Sequence, residues 1–379
     1  MKVFVLAADP ETACSPKTRH SRRWSLNHVI RLENFQNVLA TQLKDQHMHR
    51  THLIAVAAAA SVLLLSSIRT IAQSNINITN DFSIDPAARG WQAFGSTNLF
   101  HWDLTNQNLR VTWDSAQPNS YFHLPIGAVL TTNDDFAFSF DLLLADIAVG
   151  VNPDKPYSFQ VAVGFLNWQD ATNNNLQRGS GIDAVHGPRN LAEFDYFPDS
   201  GFGATVSPTM VSSSNEFASG FDFPLEIDPG HLFHIALSYT AATRKLATTM
   251  TRDGHPFGPI QDVIAGASFA GFRLDQFSIS SYSDAGADGS LLAHGVIDNV
   301  ILTLPPPPIG YAAGRFVGGH WQVEFIGRSG WAYSIERTTD LHTWAPVTSP
   351  TAGTGGTMML EDTAPPAGNA FYRVKAERP

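Results

Sequence analysis

The sequence is almost free of cysteine. Cys14 is the only cysteine in 379 residues, and it precedes the segments expected in the mature protein, so the folded part has no disulfide framework. The patterns Gly-x-Ser-x-Gly and His-Glu-x-x-His and the phosphate-binding Gly-Lys loop are also missing. After residue 75, no segment has the apolar stripe and end caps of an amphipathic helix.

Basic residues are scarce beyond the first fifth of the chain. Residues 1–74 contain nine of the 24 lysines and arginines but only four of the 34 acidic residues. The remainder therefore carries a net charge of −15, which argues against a nucleic acid or an anionic lipid bound through a basic surface. Such a surface suits neutral ligands and cations.

One long apolar run, Leu53–Leu65, follows a charged segment that begins at Met48 and precedes the small residues Ala72 and Ser74. This order is typical of a signal peptide, which we place at residues 48–74. The run is too short and alanine-rich to cross a bilayer, so we expect no integral membrane span in the mature chain. Residues 1–47 are then expected to be a miscalled, disordered extension, and the protein to be secreted or at the surface of a bacterium.

From residue 75 onward, apolar and polar residues alternate in runs separated by Gly, Pro, Asn and Asp. The clearest runs are 136–142, 159–165, 233–239 and 296–302. A period of two, rich in aromatic and β-branched residues, indicates β-strands. So many strands within 75–304 predict an all-β jelly-roll sandwich.

The prolines of Pro305–Pro308 predict an extended linker. Residues 309–379 contain short strand candidates and Gly-rich turns, which predict a small β-sandwich of immunoglobulin or fibronectin-III type. Its core is expected to contain Trp331, Tyr333, Trp344 and Tyr372. Segments 333–344 and 371–374 also resemble the C-terminal modules of exported proteins from Verrucomicrobia-type bacteria, a resemblance that implies no catalytic role.

One stretch carries three carboxylates, Glu193, Asp195 and Asp199. The first two stand two residues apart, so in a strand both side chains lie on one face. Carboxylates on a face expected to be buried need a metal, a chemical role or a cationic partner. The stretch is therefore either a functional site or an ion-paired network inside the sheet, with Arg178 or Arg189 as the partner.

Glu193-Phe-Asp-Tyr-Phe-Pro-Asp199 resembles the metal-binding strand and loop of the legume lectins, in the concanavalin A-like superfamily. The resemblance implies that the metal ligands are Glu193, Asp195, the carbonyl of Phe197, and Asp199. Carboxylate and carbonyl oxygens together suit calcium. The places of the family's further acidic and histidine ligands fall near Ala204 and Thr209, so a single Ca²⁺ ion is the expected cofactor.

The same residues resemble the Glu-x-Asp-x-x-x-Glu signature of laminarinases and lichenases. The resemblance implies a nucleophile at Glu193, an acid/base at Asp199, and Asp195 between them. Asp199 is one methylene shorter than the glutamate of that signature, whereas retaining hydrolysis needs two carboxyl groups about 5–5.5 Å apart. A glycan hydrolase or lyase is thus the alternative to a non-catalytic protein.

Candidate sugar contacts lie near the carboxylates. Trp168 stands in a polar segment with Asn173 and Asn174, and Tyr196 is a further candidate. Aromatic rings stack on the apolar face of a sugar, and amides bind its hydroxyl groups. The first hypothesis is therefore an exported, calcium-dependent, non-catalytic protein that binds a polysaccharide or other glycan. The alternative interpretation of Trp168 is that it covers the edge of the sheet. A structural or adhesive surface protein, whose jelly roll mediates protein contacts, remains a further alternative function.

Overall fold

The structure is a computed structural model that describes residues 73–174, 176–178 and 190–378, together with the backbone of a first strand, β1 (Lys2–Leu6). The chain divides into two compact units. The larger unit is Ser74–Pro307, and the described part of the smaller unit comprises residues 308–378, Gln73 and β1. The boundary falls within the four-proline segment.

The larger unit is built from β-strands, with the short helix α1 (Trp168–Ala171) and 3₁₀ turns at Pro86–Arg89 and Thr97–Leu99. The all-β prediction is confirmed. The strands are β2 (Ile76–Asn80), β3 (Gln92–Phe94), β4 (Phe100–Asp103), β5 (Asn108–Asp114), β6 (Ser120–Thr131), β7 (Phe136–Val149), β8 (Val161–Leu166), β9 (Leu191–Phe197), β10 (Thr205–Val211), β11 (Phe217–Ser219), β12 (Leu232–Thr240), β13 (Lys245–Arg252), β14 (His255–Phe257), β15 (Val263–Ile264), β16 (Arg273–Ser281) and β17 (Leu291–Leu304).

These strands form two antiparallel sheets. The seven-stranded sheet has the order β11-β10-β9-β8-β16-β6-β3, and the nine-stranded sheet has the order β14-β13-β12-β7-β17-β5-β4, with β15 beside β13 and β2 beside β17. Phe138 of β7 lies against Phe165 and Phe277 of the other sheet, with ring centroids 5.5 and 5.4 Å apart, whereas Ala137 faces outward. Because successive side chains of a strand point to opposite faces, the alternation in sequence becomes a core between the sheets.

The seven-stranded sheet is buried on its second face as well. That face carries Glu193 and Asp195 of β9 and, on neighbouring strands, small residues such as Gly164 and Ser278. A Cβ atom on Gly164 would lie 2.4 Å from the Cα of Glu193. Glycine is therefore required at this position, and the small side chains beside it leave room for buried polar groups.

The smaller unit contains two further antiparallel sheets. One has the order β1-β24-β20-β21 with β22 beside β20, and the other has the order β18-β19-β23. Its strands after β1 are β18 (Ile309–Val317), β19 (His320–Gly327), β20 (Ala332–Thr338), β21 (Ala345–Pro346), β22 (Thr351–Ala352), β23 (Thr357–Asp362) and β24 (Phe371–Glu377).

The core of the smaller unit is aromatic. The rings of Trp321 and Tyr372 stack with centroids 3.8 Å apart, and Tyr333 is fully buried. Trp331 and Trp344 were also expected in this core, but both are partly exposed. Trp331 packs against the edge of the core and also lies under the guanidinium of Arg378. Trp344 lies under the guanidinium of Arg373, 4.0 Å from its ring centroid.

The N-terminal segment differs in part from its prediction. Lys2–Leu6 lie within the extension that was expected to be disordered, yet they form a strand paired with β24, Val3 opposite Val374. The remainder of that extension and the predicted signal peptide up to residue 72 lie outside the described residues. Within the described part of the chain, no helix is long and apolar enough to cross a membrane.

Candidate functional site

Strand β9 positions the predicted carboxylates by its alternation. Phe194 and Tyr196 point into the core between the sheets, so Glu193 and Asp195 point to the second face of the seven-stranded sheet. Both carboxylates are buried there, with 1% of Glu193 and none of Asp195 exposed. The prediction that Glu193 and Asp195 lie on the same face of a strand is thus confirmed.

A guanidinium holds both acids. Arg178 Nε donates to Glu193 Oε1 at 2.6 Å, and Arg178 Nη2 donates to Asp195 Oδ2 at 2.5 Å. The Arg178 side chain is itself buried. Burial alone would lower the pKa of Arg178, but the charges of Asp195 and Glu193 outweigh it and raise that pKa, so the guanidinium stays charged.

Two buried tyrosines, Tyr282 and Tyr121, lie near the two acids. The Tyr282 hydroxyl donates to Glu193 Oε2 at 2.9 Å, so both oxygens of Glu193 have a donor. The Tyr121 hydroxyl donates to the carbonyl of Ala171 at 2.8 Å. Burial raises the pKa of both tyrosines, and the Glu193 charge adds to the effect, so both remain protonated donors.

Asp195 is less well satisfied than Glu193. Its Oδ1 atom is buried and has no hydrogen-bond partner among the described residues. Burial raises the pKa of Asp195 well above its usual value; the charge of Arg178 opposes this, and that of Glu193 adds to it. One cation facing two buried acids therefore favours a neutral carboxyl group at Asp195.

The predicted calcium ligands do not form one site. Asp199 is exposed beyond the end of β9, where its Oδ1 accepts from the backbone N–H of Gly201 at 3.0 Å, and Phe197 ends the strand opposite Thr205. Among the residues the structure describes, no group of three His, Cys, Asp or Glu side chains could hold a metal ion. Because both Glu193 and Asp195 are buried and bound to the Arg178 guanidinium, these residues do not fit a calcium site.

The arrangement also differs from that of a retaining hydrolase. A nucleophile and an acid/base must both reach the glycosidic bond. Glu193 and Asp195 are instead bound to Arg178 inside the protein, and Asp199 lies in an exposed turn. The described geometry therefore matches the buried ion-paired network with Arg178 that the sequence left as one alternative.

Trp168 does not present its ring as a free platform. It begins α1, is partly buried, and stacks on His123 with ring centroids 3.9 Å apart, while Phe94 contacts its edge. His123 in turn shares a hydrogen bond with Gln276 at 3.0 Å. Trp168 therefore covers the edge of the sheet, as the alternative interpretation proposed.

The remaining predicted sugar contacts are separated. Asn173 and Asn174 are exposed after α1. Tyr196, in contrast, is buried in the core between the sheets, where its hydroxyl accepts from the backbone N–H of Ile227 at 3.1 Å. Tyr196 was a wrong candidate because the same alternation that turns Glu193 outward from the core turns Tyr196 into it.

Sequence reasoning missed an aromatic surface formed by Phe202, Phe221 and Phe223. These side chains are 74%, 59% and 50% exposed, and the rings of Phe202 and Phe223 lie 5.5 Å apart. Asp222 between the other two points inward, where its Oδ2 accepts from the backbone N–H of Gln261 at 3.0 Å. The available signal was aromatic residues in the Gly-, Pro- and Asp-rich segments 198–203 and 220–224.

Asp199 belongs to this aromatic surface rather than to the buried acids. It lies in the turn that carries Phe202, and the backbone N–H of Asp199 donates to Ser158 Oγ at 3.2 Å. The turn is closed by a hydrogen bond from the backbone N–H of Ser200 to the carbonyl of Gly203 at 3.1 Å. An exposed carboxylate thus stands three residues from an exposed ring.

Comparisons with solved structures find legume lectins. Peanut lectin, in complex with a nine-residue peptide, aligns with 62% of this chain and 99% of its own at 14% identity and a TM-score of 0.36. Lectin II from Ulex europaeus aligns with 61% and 99% at 11% identity and a TM-score of 0.39. The Lotus tetragonolobus seed lectin aligns with 61% and 100% at 13% identity and a TM-score of 0.36.

No protein-family model matches the sequence, and no curated protein matches it. At these identities and TM-scores, the likeness to the lectins concerns the arrangement of strands and says nothing about ligands.

Proposed function

We propose that the larger unit is a non-catalytic carbohydrate-binding domain of an exported protein. The observation that carries this proposal is the aromatic surface of Phe202, Phe221 and Phe223 beside Asp199. Exposed rings offer stacking area for the apolar face of a sugar, and a neighbouring carboxylate accepts hydrogen bonds from its hydroxyl groups. Large exposed apolar patches on a folded domain commonly mark binding sites.

The charge of the protein fits a neutral glycan. The chain has a formal net charge of −10, and the part after the proposed signal peptide is more acidic still. An acidic surface repels nucleic acids and anionic polysaccharides. Export is supported by the signal-peptide pattern of residues 48–74.

Calcium and hydrolysis are not part of the proposal. Arg178 binds two of the acids, Glu193 and Asp195, that would bind the ion or act on the glycosidic bond, and Asp199 lies apart from them in an exposed turn. The proposed binding residues therefore lie outside the buried network, and they act by contact alone.

The test is a glycan-binding assay, on arrays and with insoluble polysaccharides, of the full chain and two variants, Phe202→Ala and Phe223→Ala. Each variant should lose at least about tenfold in affinity, or 1.4 kcal/mol, because it removes stacking area. Phe94→Ala is the matched control, since it removes a partly exposed phenylalanine at the opposite edge of the same sheet. Unfolding temperatures of all three variants should be measured alongside.

Two results would contradict the proposed binding site. If Phe94→Ala or Trp168→Ala abolishes binding while Phe202→Ala does not, the aromatic surface is not the site. If no glycan binds and the protein instead self-associates through the aromatic surface, with Phe202→Ala restoring the monomer, the adhesive alternative replaces the proposal.

A further inference from the structure

The aromatic surface continues along the last strand of the seven-stranded sheet. β11 lies at the end of the seven-stranded sheet, and the chain stays paired with β10 beyond it, because Gly220 N donates to Pro208 O and Asp222 forms a bridge with Val206. Residues 217–222 therefore act as one extended strand. Its alternation places Phe217, Ser219 and Phe221 on one side, and Phe223 extends the series.

This row is long compared with one sugar ring. Six residues of extended chain separate Phe217 from Phe223, which corresponds to about 20 Å at the rise of a β-strand. Phe221 and Phe223 are exposed, whereas Phe217 and Ser219 are half-buried because they form one wall of a cleft. The row thus runs from the aromatic surface directly into a cavity.

The cleft has a volume of about 550 Å³. Its walls combine apolar and polar side chains, and they include Phe217, Ser219, Ile264, Ser268 and two carboxylates, Glu216 and Asp262. Gly220 marks the junction with the aromatic surface, since a Cβ atom there would lie 3.4 Å from a methyl group of Val263 on the opposite wall.

The carboxylates of the cleft are held in place by neighbouring donors. Glu216 Oε2 accepts from the backbone N–H of Ala270 at 2.7 Å, and this hydrogen bond, helped by the nearby serines, lowers the pKa of Glu216. Asp262 Oδ2 accepts from Lys245 Nζ at 2.9 Å. Both groups therefore accept hydrogen bonds. Glu216 repels an anionic polymer, whereas Lys245 offsets the charge of Asp262.

We infer that the site takes a linear, neutral oligosaccharide of several units, laid along residues 217–223, with one end on the aromatic surface and the other in the cleft. This inference rests on the proposed function and extends it from sugar binding to recognition of a polymer. The exposed rings of Phe221 and Phe223 provide stacking positions at one end, and the cleft provides hydroxyl and carboxylate groups for a further sugar unit at the other.

The test uses linear β-glucan and β-xylan oligosaccharides of one to six units, titrated into the full-length protein by calorimetry. Affinity for one of these series should rise by at least about tenfold between two and five units, which corresponds to 1.4 kcal/mol. Ser219→Trp, which fills the cleft, and Ile264→Ala, which removes an exposed part of its wall, should abolish that rise. Ser238→Trp, at an exposed serine of the nine-stranded sheet, is the control and should leave the rise intact.

The two proposals fail differently. If short and long oligosaccharides bind equally well, or if Ser219→Trp leaves the rise intact, the extended site is wrong while sugar binding at the aromatic surface stands. If neither series binds and Phe202→Ala changes nothing in the array assay, both proposals are overturned.

Discussion

Arg178 Nη2 lies 2.5 Å from Asp195 Oδ2, and this contact occupies the place where a metal ion was expected. The guanidinium meets Glu193 at the same time through Nε. Removing one partner of a buried ion pair is costly because it leaves charge inside the protein without compensation. Loss of one member of the network should therefore be measurable as a loss of stability.

Arg178→Met should lower the free energy of unfolding by about 3–5 kcal/mol, because two buried acids lose their cation. Chemical denaturation of the full chain measures this. The matched control is Arg252→Ala, which removes a partly exposed ion pair with Asp228 and should cost less than about 1 kcal/mol. Equal losses of unfolding free energy in Arg178→Met and Arg252→Ala would contradict a stabilising role for the buried contacts of Arg178 with Glu193 and Asp195.

Asp195→Asn should change the pH dependence of stability. The pKa of Asp195 is raised in the folded protein, so the folded state holds this proton more tightly than the unfolded chain, whose aspartates titrate near pH 3.9. The contribution of Asp195 is fully present below about pH 4 and is lost as the pH rises towards the folded-state pKa. Relative to Asp195→Asn, the unmodified protein should therefore lose stability as the pH increases.

The measurement is a series of denaturation curves from pH 4 to pH 9 for both proteins. Charged and titratable groups near Asp195 are Arg178, Glu193 and Tyr282, and all of them are retained in the variant. A difference in unfolding free energy that rises with pH in favour of the unmodified protein would contradict the raised pKa.

Calcium should not stabilise the larger unit. Binding to the native state alone raises the unfolding temperature in proportion to the logarithm of ligand concentration. Because Glu193 and Asp195 are buried and already bound to Arg178, thermal unfolding with millimolar CaCl₂ and with EDTA should give the same transition. A calcium-dependent increase that disappears in Asp199→Asn would restore the metal site that the sequence motif implied.

Gly164→Ala should be strongly destabilising. The added Cβ atom would lie 2.4 Å from the Cα of Glu193 and from the carbonyl oxygen of Ala192, so strands β8 and β9 would have to separate. Overpacking of this kind costs about 1–3 kcal/mol or more. Gly266→Ala is the control, because a Cβ atom there meets nothing within 4 Å, and thermal unfolding of the two variants makes the comparison.

The sequence was sufficient to predict the strands and their faces. Alternation in segments such as 136–142 predicted which side chains point inward, because the period of a strand is fixed by backbone geometry. The same rule correctly placed Glu193 and Asp195 on one face. The alternation could not identify the partner of these two carboxylates. Two acids spaced two residues apart are compatible with a metal ion and equally with an arginine such as Arg178, and the sequence pattern does not distinguish the two.

The aromatic surface was missed for a related reason. In Phe221-Asp222-Phe223, alternation predicts buried phenylalanines and an exposed acid. The structure has the reverse, because the backbone N–H of Gln261, 39 residues away, gives Asp222 a buried hydrogen bond. Asp222 and Gln261 meet only because of the tertiary fold, so the local sequence pattern around residue 222 does not predict their hydrogen bond.

The triangle of Arg178, Glu193 and Asp195 has an evolutionary consequence. Replacing Arg178 alone leaves two acids inside the sheet without a cation, whereas replacing a whole buried ion-paired set with apolar residues of similar volume is often neutral or stabilising. Arg178 should therefore change together with the acids during divergence: homologous chains that lack the arginine should lack both acids as well. The acidic motif in this strand would then trace the inheritance of a salt bridge rather than of a binding activity.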